Sequence, residues 1–157
     1  MRSVKHATAL GLALAAVAAA GAIWYIASGG KTSAGLINPD DAQAVTLGET
    51  LYSEHCASCH GASLEGQPNW QQRRSDGRLP APPHDETGHT WHHPDAQLFA
   101  LTKYGPAAMV EGSYESDMSG FGEILSDEEI VAVLAFIKST WPAAVRQQHD
   151  QINARQP

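Results

Sequence analysis

Apolar positions are distributed very unevenly along the 157 residues. Arg2 and Lys5 are followed by a run of 21 residues, Ala7 to Ala27, that holds no charge. This exceeds the ~7–15 residues of a signal-peptide core and matches the ~20 that cross a bilayer as a helix. It predicts an export segment over 1–27, a signal anchor or a signal peptide. The positive flank would lie on the cytoplasmic side, with Trp24 and Tyr25 at the far membrane interface. The pattern then dissolves over 28–44, where Ser28-Gly29-Gly30-Lys31 and Asn38-Pro39-Asp40-Asp41 predict a flexible tether.

Helical spacing returns with Leu47, Leu51 and Tyr52, which predict a short amphipathic helix. Gly48 inside it costs up to about 1 kcal/mol relative to alanine, which suggests close contact with another helix. A second helix is predicted over Pro94–Gly105, with Asp95 as its N-cap and Gly105 as its stop. A third starts at the capping box Ser126-Asp127-Glu128-Glu129 and buries Ile130, Val131, Val133, Leu134, Phe136 and Ile137, ending at Trp141-Pro142. No stretch alternates convincingly as a strand. The expected fold class is therefore all-α, with one domain over 45–142 and a polar C-terminal tail over 143–157. Residues 61–93, crowded with Gly, Pro and His, read as a long loop, a length that is unusual unless it is functional or wraps a cofactor.

Charge narrows the partners. All 17 acidic residues but only 8 of the 10 basic ones lie beyond the export segment, which leaves the exported part at −9. Nucleic acid and anionic lipid are poor partners for such a surface, whereas a positively charged docking face on another protein would be steered toward it.

The only two cysteines lie in Cys56-Ala57-Ser58-Cys59-His60. Thiols at this spacing can form thioethers with the two vinyl groups of a haem, and the histidine that follows lies under the iron as an axial ligand. A zinc site would need two more ligands at short spacing, yet the next histidine is His84. A thioredoxin-like pair would follow a strand, while the context here is helical. A second axial ligand comes from Met109 or Met118, and Met118 is preferred because Asp117-Met118-Ser119-Gly120-Phe121-Gly122 is a turn-rich stretch just before the last helix.

Together, Cys56-Ala57-Ser58-Cys59-His60-Gly61, Met118-Ser119-Gly120-Phe121-Gly122 and Leu125-Ser126-Asp127-Glu128-Glu129-Ile130 resemble the class I (mitochondrial-type) cytochromes c over about residues 47–141. The resemblance implies a cytochrome c fold, three to five short helices around one covalent haem c. It implies thioethers at Cys56 and Cys59, His60 and Met118 on the iron, and a helix crossing built from Gly48, Tyr52, Val133 and Phe136. A proline carbonyl would orient the His60 ring; Pro82 and Pro83 are the candidates ahead of Pro68 and Pro80. Met109 would then fill core. Two departures stand out: Ser119 follows the methionine where the family has proline, and His84 follows Pro82-Pro83 where many relatives have leucine.

The implied function is one-electron transfer on the periplasmic side of a bacterial inner membrane, anchored there or soluble, with redox proteins as partners. An alternative makes the chain a dedicated haem subunit of a membrane dehydrogenase or oxidase complex. Another uses His84, His89, His92 and His93 for copper handling. Trp91 is a further candidate for packing or propionate bonding at the haem.

Overall fold

Gly48 sets the geometry of the core. The computed structural model describes residues 35–110 and 114–156, and the apolar run at 7–27 lies outside the described residues. Helix α1, Ala42–His55, is capped by the Asp41 carboxylate, which accepts from the backbone N–H groups of Gln43 and Ala44. Helix α5, Asp127–Thr140, begins with the reciprocal capping box of Ser126 and Glu129. The two cross where Gly48 lies against the backbone of Ala132, and a Cβ at 48 would overlap the Ala132 carbonyl. Beside that contact Tyr52 packs on Phe136, ring centroids 5.4 Å apart. The predicted crossing is present, with Ala132 as the residue that most closely faces the glycine.

Between these helices come α2 (Ala57–His60), a 3-10 turn (Thr90–His92), α3 (Asp95–Tyr104) and α4 (Pro106–Met109); α6 (Ala143–Asn153) follows α5. No strand occurs among the described residues, and no described helix is long and apolar enough to cross a membrane. The core gathers Leu51, Tyr52, Leu64, Leu98, Leu125, Ile130, Val133, Leu134, Ile137 and Trp141, the apolar faces of α1, α3 and α5 together with part of the long loop.

Two boundaries differ from the sequence expectation. The tether predicted through 44 already has a core residue at Ile37, which is 1% exposed. The tail predicted from 143 is largely helical and packed, with His149 fully buried. Asp95 explains both. It is the first residue of α3, after Pro94 as N-cap, and its carboxylate accepts from Ile37 N (2.9 Å) and from Asn153 Nδ2 (2.8 Å). One buried acid thus ties the chain's approach and its last helix to α3. A second tie is Lys138, whose Nζ donates to Asp150 Oδ1 at 2.6 Å.

Candidate functional site

Helix α1 runs almost directly into α2: Cys56 N–H donates to Tyr52 O, and the N–H groups of Cys59 and His60 donate back to Cys56 O at 3.1 and 2.9 Å. Cys56 and Cys59 are therefore one helical turn apart. Both thiols are free, Cys56 half-buried and Cys59 exposed. Burial, with Cys59 adding to it, pushes the Cys56 thiol up to about 11, so it stays protonated at neutral pH.

His60 is buried, and its Nδ1 lies 2.8 Å from the carbonyl oxygen of Pro82. A carbonyl can only accept, so Nδ1 carries the proton and Nε2 keeps its lone pair. Burial lowers the pKa of the ring, with the Pro82 bond opposing. Among the described residues no fully enclosed side-chain nitrogen or oxygen lacks a partner, and Nε2 of His60 forms no hydrogen bond there, so this nitrogen keeps some exposed surface and a free lone pair. That is the orientation a metal ligand needs.

The Pro82 carbonyl is held in place by backbone packing. Gly66, at φ +67°, lies against Pro82 and Pro83 so closely that a side chain there would meet Pro83 N, and Gly88 lies against the Pro83 carbonyl. Gln67 and Ala81 pair across this loop, Gln67 N to Ala81 O at 2.9 Å and Ala81 N to Gln67 Oε1 at 3.0 Å. Of the proline candidates, Pro82 supplies the carbonyl. Pro83 is buried beside it without a bond to His60. From the other side, Tyr52 Oη donates to Gly61 O at 2.8 Å and fixes the residue after His60.

His84 was expected as a loop histidine. Its ring instead stacks on His60, centroids 4.0 Å apart and planes 22° from parallel. Nδ1 of His84 lies 2.8 Å from Thr90 Oγ1, its N–H donates to Leu64 O at 2.8 Å, and its carbonyl accepts from Trp141 Nε1 at 2.7 Å. Burial first, then His60 and His89, hold its pKa well below the ordinary histidine value. The other three histidines pack on aromatic neighbours or on each other. His89 stacks on Trp70 (5.2 Å) and meets His93 edge-on (5.3 Å), while His92 packs on Trp91 (3.7 Å). Among the described residues no group of three or more His, Cys, Asp or Glu is placed to hold a metal ion. His89, His92 and His93 each make an aromatic contact. Trp91 Nε1 donates to Glu86 O at 3.3 Å, so its N–H is engaged within the loop.

The Met118 segment is fastened to the end of α3. Phe121 N donates to Thr102 O and Gly122 N to Lys103 O, both at 3.0 Å. Gly120 lies on the backbone of Lys103 and Tyr104, and a Cβ at Gly105 would come within 2.7 Å of Gly120 N. Met118 is half-buried, with its N–H bonded to Ser116 Oγ at 3.1 Å. Met109, expected in the core, is 44% exposed at the end of the single-turn helix α4. A four-residue helix with no buried residue offers no core for it to fill.

A family model described as Cytochrome c matches residues 45–141. This chain belongs to the cytochrome c family. Cytochrome CL from the marine methylotrophic bacterium Methylophaga aminisulfidivorans MPT is a similar solved structure, at 23% identity over 76% of this chain and 69% of that one, with a TM-score of 0.47. No curated protein matches the chain. The cofactor of a cytochrome c is covalently attached haem c, and the family's work is haem-based electron transfer. The residues here fit that group: two unpaired thiols a helical turn apart, followed at once by an imidazole whose Nδ1 is held by Pro82 and whose Nε2 is left without a hydrogen bond. The place of His84 was missed in the sequence, since only its position after Pro82-Pro83 marked it.

Proposed function

We propose that this cytochrome c is a class I, single-haem electron carrier, with Cys56 and Cys59 as the thioether residues and His60 and Met118 as the axial ligands. The observation that carries this reading is the 2.8 Å contact between His60 Nδ1 and Pro82 O, which leaves Nε2 as the only free nitrogen of a buried ring. Bound haem would supply a one-electron Fe(II)/Fe(III) couple. The chain's own residues supply rigidity: the Pro82 carbonyl and the His84 ring restrict rotation of His60, and Tyr52 fixes Gly61 behind it. Ligands that move little between oxidation states keep the reorganisation cost of electron transfer small. A sulfur ligand in place of a second imidazole raises the potential.

Arg2 and Lys5 ahead of the uncharged run 7–27 support export of the residues beyond 27 with that run as an inner-membrane anchor, and the haem-attachment motif agrees with a periplasmic setting. The partner is then a redox protein with a basic docking face, steered by the charge of −9. Membrane fractionation with and without residues 1–27 tests the setting. The ligand assignment is tested by absorption spectroscopy of the holoprotein: a near-infrared sulfur-to-iron charge-transfer band in the oxidised state supports it, and its absence removes Met118.

A further inference from the structure

The residue before Met118 is gripped from across the chain. Arg74 Nη2 donates to Asp117 Oδ2, and Arg78 Nη1 donates to Asp117 Oδ1 at 2.8 Å, so each carboxylate oxygen has its own guanidinium. Arg78 also reaches Glu115 Oε2 through Nε (3.3 Å) and Nη2 (3.2 Å). The two arginines are presented together by one tight turn, in which Arg74 N donates to Arg78 O and Gly77 N to Arg74 O, both at 2.9 Å, with Gly77 at φ +85°. Asp76 stiffens this turn by accepting from Arg78 N at 3.0 Å.

We propose that Arg74 and Arg78, acting through Asp117, are positioning residues that hold Met118 in place for the iron. The proposal rests on the reading of Met118 as distal ligand. It answers a physical need specific to this chain: Ser119 occupies the place where the family has proline, so the backbone beside the methionine lacks that fixed φ. On its C-terminal side Met118 is secured by the bonds of Phe121 and Gly122 to α3. On its N-terminal side the nearest tertiary tie is Asp117. A single exposed ion pair would hold weakly, but two guanidinium groups sharing one carboxylate, with Glu115 as a second acceptor, form a network with defined geometry. The network is solvent-exposed, so salt should loosen it.

The test is displacement of the methionine by added imidazole in the ferric holoprotein, followed by loss of the sulfur-to-iron band. Asp117→Asn and the pair Arg74→Gln, Arg78→Gln should each lower the half-displacing imidazole concentration by about fivefold. All three changes together should do no more than the arginine pair alone, since losing both guanidinium groups already breaks the contacts to Asp117 and to Glu115. Arg74→Lys with Arg78→Lys should recover part of the loss. Raising salt from about 0.05 M to about 1 M should weaken the parent toward the variants and leave the variants unmoved. Thermal unfolding followed in parallel separates ligand retention from stability, and a drop in unfolding temperature with unchanged imidazole displacement overturns the proposal. A parent that shows the band, with Asp117→Asn unchanged or the effects additive, overturns the clamp while Met118 stands. A parent without the band overturns the Met118 assignment, and the clamp with it.

Discussion

Asp95 and Asn153 exchange two hydrogen bonds: the Asp95 N–H donates to Asn153 Oδ1 and Asn153 Nδ2 donates to Asp95 Oδ1, each at 2.8 Å. The pair joins the first turn of α3 to the last turn of α6. Asn153→Ala would leave the buried Asp95 carboxylate without one donor and an N–H of α3 without its acceptor. The expected loss is about 1–3 kcal/mol in unfolding by denaturant. A loss below a few tenths would mean that α6 contributes little to the domain.

His149 lies in the same joint and makes it sensitive to acid. Its Nε2 is 3.0 Å from His93 O and its Nδ1 accepts weakly from Asn153 Nδ2 at 3.5 Å, an arrangement that suits the neutral ring. Burial lowers its pKa, Lys138 adds repulsion, and Asp95 and Asp150 pull the other way without reversing the shift. Because the folded value lies below the unfolded value of 6.5, the neutral ring's contribution is intact above that pH. It is lost as pH falls through 6.5 toward the folded value, with a slope of at most about 1.4 kcal/mol per pH unit. His149→Gln should flatten this part of the stability profile. An unchanged profile between pH 7 and 5 would contradict it.

Gly48 allows a prediction in which two effects oppose. Alanine would gain up to about 1 kcal/mol of helix propensity, but its methyl would overlap the Ala132 carbonyl and press on Phe136 Cβ at 3.0 Å. Forcing a methyl into a packed backbone contact costs about 1–3 kcal/mol. Gly48→Ala should therefore destabilise the holoprotein, as read by its guanidinium midpoint, and a raised midpoint would show that the crossing can open without cost.

The helix crossing was legible in the sequence because a glycine in an amphipathic helix has few reasons to be there, and the α5 start was legible because Ser126 and Glu129 form a capping box by sequence alone. The CxxCH pentapeptide carried the cofactor. The rest depended on long-range contacts that local patterns do not encode. Lys138 and His149 read as polar residues of an end and a tail, yet both are buried, Lys138 bonded to Asp150 and His149 set against His93 and Trp141. Pro82 and Pro83 are equivalent in sequence; in the fold it is the Pro82 carbonyl that meets His60, with Gly66 and Gly88 packed against the two prolines. The histidines at 84, 89, 92 and 93 have a metal-like density, but only His89 and His93 meet, while His84 stacks on His60 and His92 on Trp91.

The stack of His84 on His60 also makes a prediction. His84→Leu keeps an apolar cover but removes the bond to Thr90 Oγ1 and the aromatic face. The orientation of the proximal ring should become less uniform, seen as broadened axial-ligand resonances of the ferric protein by NMR, while haem attachment continues. Sharp and unshifted resonances would show that Pro82 alone fixes the ring.

The central claim is a His60/Met118 haem c held by Cys56 and Cys59, and near-infrared absorption of the oxidised holoprotein tests it most directly when parent, Met118→Ala and Met109→Ala are compared. The account predicts the sulfur-to-iron band in the parent and in Met109→Ala, and its loss in Met118→Ala together with a lower midpoint potential. A band that survives in Met118→Ala, or disappears in Met109→Ala, would contradict it.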